Sequence, residues 1–91
     1  MKEFVKRFFI SENGEIDWVK LCETYPEFEK LKNVPQSPKW HAEGNAFIHT
    51  QNVYNEMLKI LLRENVTDDT TFYLSLLIAL FHDVGKGNCI V

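Results

Sequence analysis

The chain has 91 residues, a formal net charge of −3 and a hydrophobic share of 45%. That length holds one domain at most and buries only a modest fraction of its surface, although the apolar share is enough for a core. The acidic balance argues against broad electrostatic attraction to nucleic acid or to an anionic membrane, so any nucleotide would be held locally. No apolar run reaches the length of about 18 residues that a membrane span needs. Lys2, Glu3, Lys6 and Arg7 break the N-terminus in a way a signal peptide does not. Cys22 and Cys89 lie far apart without Cys-x-x-Cys spacing, the pattern of reduced thiols. The expectation is a soluble, cytoplasmic protein with no membrane partner.

Met1 to Ile10 alternates basic and apolar residues, and its phenylalanines fit a short strand or a helical turn equally. Ser11-Glu12-Asn13-Gly14 is turn chemistry, with Asn-Gly favouring positive φ. Ile16 to Thr24 reads as a short amphipathic helix that Pro26 interrupts. Pro26 to Lys32 restarts as a second one, acidic early and basic late to match its dipole. Residues 1–33 thus read as scaffold helices, with Cys22 as a small buried hydrophobe. Val34 to Lys39 is an extended connector, because each proline pushes the residue before it out of helical geometry. It leads into Trp40-His41-Ala42-Glu43-Gly44-Asn45, a loop in which Trp40 reads as a hydrophobic plug and His41 and Glu43 draw functional attention.

Asn45 suits a helix cap, and Ala46 to Glu64 follows as a long helix ended by Asn65. At about 100° per residue, Ala46, His49, Thr50, Val53, Met57, Ile60 and Leu61 share one face, so His49 is expected to point inward. Taken alone, His49 reads as a satisfied core histidine. Thr67 or Asp68 can cap the next helix, Thr70 to Asp83, whose apolar run from Phe72 to Phe81 predicts a buried element. His82 and Asp83 would then be delivered into the interior, where they must be paired, hydrogen-bonded or bound to a metal. Gly85 is expected to stop the helix in the left-handed conformation, and Lys86 then places a cation where a phosphate could sit. A short connection makes the two long helices antiparallel neighbours, so His49 and His82 can converge. Two imidazoles and a carboxylate suit Mn, Fe, Co, Ni or Zn.

His82-Asp83-Val84-Gly85-Lys86 resembles the His-Asp signature of the HD-domain superfamily of metal-dependent phosphohydrolases. The stretch from Trp40 to Thr50 resembles that family's first-histidine segment, most closely in the HD domains related to bacterial tRNA nucleotidyltransferases. The resemblance spans Val34 to Gly87. It implies an all-α, HD-like helical bundle, cut short after the His-Asp helix. Residues 1–91 would form one domain, with 34–87 as its motif-bearing core. It implies a divalent ion (Mn, Fe, Co, Ni, Zn or Mg) held by His49, His82 and Asp83. The implied reaction is hydrolysis of a phosphomonoester or phosphodiester of a nucleotide, another phosphorylated small molecule or an RNA end. Asp83 would be both ligand and orienting base, Lys86 the cation over the phosphate, and His41 and Glu43 substrate-side groups.

One feature departs from the family pattern: the family takes a further ligand from an Asp on a later helix, and no Asp follows Asp83 in this chain. Glu56 and Glu64 are the acidic residues that could substitute. Without such a ligand, the expectation shifts from an enzyme to a non-catalytic module that binds nucleotide or RNA or regulates a partner. The same shortening would expose an apolar helix face able to pair with a second copy.

Overall fold

The computed structural model describes residues 1–35 and 44–85. Over these residues the fold is all-α: α1 (Lys2–Val5), α2 (Trp18–Thr24), α3 (Pro26–Lys30), α4 (Ala46–Arg63) and α5 (Asp69–Phe81), with 3₁₀ turns at Lys6–Phe8 and Leu31–Asn33. Extended pairing among the described residues is limited to two isolated bridges, Ile10 with Ile16 and Pro35 with Asn45.

The first ten residues resolve as helix rather than strand. Phe9 closes them in the left-handed conformation at φ 61. Its N–H donates to the Lys6 carbonyl while that of Ile10 donates to Val5, the hydrogen-bond pattern of a left-handed cap. The chain then doubles back. The Ser11 N–H donates to the Glu15 carbonyl at 2.8 Å, and Gly14 at φ +88 supplies the positive φ that the Asn-Gly pair predicts. A Cβ on Gly14 would lie 2.6 Å from Leu58, so this turn sits directly on α4 and only glycine fits it.

Each later helix starts where a side chain satisfies its free N–H groups. Asp17 accepts from the Lys20 N–H, which starts α2 two residues beyond the expected Ile16, because Ile16 is engaged in the bridge to Ile10. Pro26 occupies the first turn of α3. Asn45 caps α4 by accepting from the Ile48 N–H, and Asn65 at φ 52 ends it, both as expected. Asp68 caps α5.

α4 and α5 form the most extensive helix pair. The N-terminal turn is fastened across both helices by two tyrosines. The Tyr54 hydroxyl donates to the Gly14 carbonyl at 2.6 Å, and that of Tyr73 to the Glu12 carbonyl at 2.8 Å. Trp18 meets Phe47 and Tyr54 edge-on, while Phe8 and Phe28 pack on Phe81 at the end of α5. Each fully buried ring contributes on the order of 2 kcal/mol in transfer free energy.

Two expectations about burial need correction. On α4, Ala46, Thr50 and Leu61 are buried, but Ile60 is 42% exposed and the deepest large side chain is Tyr54. The N-terminal segment packs on a second face of the helix, which turns the buried stripe toward Phe47 and Tyr54 and away from Ile60. On α5, the all-round apolar pattern does not mean all-round burial. Leu76 and Leu80 are fully enclosed, whereas Leu74 and Ile78 stand 47% and 61% exposed on a face that no described element covers.

Candidate metal centre

The antiparallel pairing brings the start of α4 to the end of α5. His49 sits in the first turn of α4, while His82 and Asp83 follow the last residue of α5. One nitrogen from each imidazole and one Asp83 oxygen all lie within 4.8 Å of one another. Asp83 Oδ2 is 3.1 Å from His82 Nε2 and 3.9 Å from His49 Nε2. Ligands of a tetrahedral ion with bonds of about 2.0–2.1 Å stand about 3.3 Å apart, so the trio needs only a small contraction to close around one.

The centre lies at the rim of the core, with His49 and Asp83 mostly buried and His82 the most exposed of the three. The side chains of His49, Asp83 and His82 are 17%, 13% and 31% exposed. Because α5 ends at Phe81, the next two residues turn along the rim of the core. Gly85 does not act as the expected left-handed stop; the glycines with positive φ among the described residues are Gly14 and Gly44.

Local hydrogen bonding supports a cation at this point. His82 Nδ1 lies 2.6 Å from the Ala79 carbonyl oxygen. A carbonyl can only accept, so Nδ1 carries the proton and a neutral His82 turns the lone pair of Nε2 outward. That lone pair faces the Asp83 carboxylate oxygen at 3.1 Å, acceptor against acceptor. A second ring proton, which makes an imidazolium–carboxylate pair, or a metal ion bound by both would each make the contact favourable. The Ala79 carbonyl is also the kind of partner that fixes the ring orientation of metal-ligating histidines.

Of the other residues singled out from the sequence, His41, Glu43 and Lys86 lie outside the described residues. The ends of the segment carrying His41 and Glu43 are joined, since Pro35 bridges Asn45 and the Ala46 N–H donates to the Val34 carbonyl at 2.8 Å. Glu64 caps the far end of α4, away from His49. Glu56 does share the His49 side. With Asn52, Val53, Met57 and Ile60 it lines a groove of about 360 Å³ that begins at His49. The i, i+3, i+7 spacing of His49, Asn52 and Glu56 puts them on one side of α4. The Ala79 carbonyl left no sequence signal, being backbone.

No family model and no solved structure match the chain. It is 36% identical over 67 residues to the Multifunctional CCA protein of Thioalkalivibrio sulfidiphilus (strain HL-EbGR7), a match over 74% of this chain and 14% of that protein. It is 35% identical over 63 residues to the Multifunctional CCA protein of Pasteurella multocida (strain Pm70), over 69% of this chain and again 14% of the relative. The chain is therefore similar to a small part of these proteins.

Proposed function

We propose that the chain is a metal-dependent phosphohydrolase of HD type, acting on a phosphomonoester or phosphodiester of a nucleotide or a nucleic-acid end. The observation that carries this reading is the convergence of His49, His82 and Asp83, whose ligand atoms lie within 4.8 Å of one another and could hold a metal ion. The HD-like motifs support the phosphoryl chemistry of this reading, and the similarity to part of the Multifunctional CCA proteins supports a nucleic-acid end as its substrate class. In this reading residues 1–33 are scaffold and 34–87 carry the site. The protein works in the cytoplasm.

His49, His82 and Asp83 would hold a divalent cation, which when bound would polarise a phosphoryl oxygen and acidify a coordinated water. His82 is held ready for it by the Ala79 carbonyl, and His49 adds a second imidazole from the first turn of α4. Asp83 serves as a ligand and orients the attacking water by accepting its hydrogen bond. Lys86 is assigned the role of offsetting negative charge on the phosphate, and His41 and Glu43 that of substrate-side groups, from the motif resemblance alone. Loss of an electrostatic group such as Lys86 commonly costs about 3 kcal/mol of barrier.

The ligand count favours a second reading, a non-catalytic module that binds nucleotide or RNA or regulates a partner. Among the described residues the cluster has three ligands, and a site with several open positions holds its ion weakly. Hydrolysis of bis(p-nitrophenyl) phosphate and p-nitrophenyl phosphate in Mn2+ or Zn2+ separates the two. The enzyme reading expects turnover that disappears in a folded Asp83→Asn variant. Metal binding without turnover of these esters or of nucleotides would leave the binding module.

A further inference from the structure

We propose that the Thr50 hydroxyl positions Asp83, donating a hydrogen bond to its carboxylate when His49, His82 and Asp83 close around an ion. This rests on the metal centre proposed above and adds a residue to it. Among the described residues, Thr50 Oγ1 is the one buried side-chain oxygen or nitrogen with no hydrogen-bond partner. Threonines inside helices commonly return the hydroxyl to a carbonyl one turn back, which Thr50 does not do. A buried hydroxyl left unpaired destabilises the fold, and in a native chain such an orphan marks a bound water, an ion or a functional role.

The placement of Thr50 decides among these. It follows His49 directly and lies with Ala46 and Tyr54, about one turn to either side, on the fully buried stripe of α4. The enclosed stripe of α5, the helix paired with α4, runs through Leu76, Ala79 and Leu80. His82 keeps right-handed helical backbone at the end of α5, so Asp83, i+4 from Ala79 and i+7 from Leu76, carries that stripe onward. Its side chain is the most buried of the three ligands. Thr50 and Asp83 therefore belong to the facing stripes of the two helices, at the end where the His49 and His82 ring centroids stand 5.7 Å apart. Asp83 Oδ2 lies 3.1 Å from His82 but 3.9 Å from His49, so gathering the three donors around one ion draws the carboxylate toward α4, on which Thr50 sits. A carboxylate has about four acceptor positions, enough for an ion, the Thr50 hydroxyl and its other contacts. Hydrogen bonds of this kind fix the direction of a ligating carboxylate, and their loss commonly weakens metal affinity about 10–100-fold.

Without metal the unpaired hydroxyl destabilises the chain, and with metal it strengthens binding. Thr50→Val, which keeps the shape and removes the hydroxyl, should therefore act in opposite directions on the two. Thermal unfolding in EDTA should show Thr50→Val melting a few degrees above the parent. Calorimetry with Zn2+ should show it binding about tenfold more weakly. Thr50→Ser keeps the hydroxyl and should hold the parental Zn2+ affinity, although the loss of a buried methyl lowers its melting temperature. A threonine with a merely structural role does not give this split. Thr50→Val with parental Zn2+ affinity, Thr50→Val melting below the parent in EDTA, or Thr50→Ser binding as weakly as Thr50→Val would overturn the assignment and leave the metal centre standing. A parent chain that binds no Zn2+ would overturn both.

Discussion

Tyr54 is fully buried, and its hydroxyl donates to the Gly14 carbonyl. Burial, reinforced by nearby Tyr73, pushes its phenol well above the ordinary value of 10.0. The folded chain therefore keeps a proton that the unfolded chain releases. The resulting stability is complete below pH 10 and drains away as pH rises toward the folded value. We expect chemical denaturation to show stability falling above pH 10, and Tyr54→Phe to flatten that fall. At neutral pH the same variant should cost about 1–2 kcal/mol, because it strands a buried carbonyl. A variant as alkali-sensitive as the parent would show that Tyr54 is not the group responsible. At this scale the sequence was most readable where a side chain acts alone: Asn45 as cap, Gly14 in its turn, His49, His82 and Asp83 as a trio. Partners supplied by backbone, such as the Ala79 carbonyl behind His82, leave no trace in residue identity.

The ends of α5 govern how its last residues are presented. At its start, Asp68 accepts from both the hydroxyl and the N–H of Thr71, and these bonds hold its carboxyl below the ordinary value of 3.8. The folded form is the stronger acid, so the cap contributes fully above that value and is lost as pH falls through the lower folded one. Asp68→Ala should lower the melting temperature at pH 7 by a few degrees and have a smaller effect in strong acid. An equal shift at both pH values would contradict a charged cap. Caps and turns made the helices of residues 16–83 legible to within a few positions. The α2 start was displaced because Ile16 serves a bridge set by residues outside the helix. The exposure of Leu74 and Ile78 was not readable from α5 alone, since an apolar pattern says what a face prefers and not which element reaches it.

Across the whole molecule, that uncovered face and the metal centre lie on the same helix–turn unit. We propose that two copies pair through Leu74 and Ile78, whose burial against each other would remove exposed apolar surface from water. Sedimentation velocity should then show a concentration-dependent dimer, and Leu74→Glu with Ile78→Glu should return it to monomer; a parent that stays monomeric at high concentration contradicts the pairing. The overall class, all-α, followed from periodicity and caps, while the centre's position at the rim of the core depended on where α5 stops. Elemental analysis after dialysis against Mn2+ or Zn2+ tests that centre. About one divalent cation per chain should remain bound, and be lost in His49→Ala, His82→Ala and Asp83→Ala variants that keep their far-UV circular dichroism. A chain that retains no metal, or folded variants that retain it in full, would contradict it.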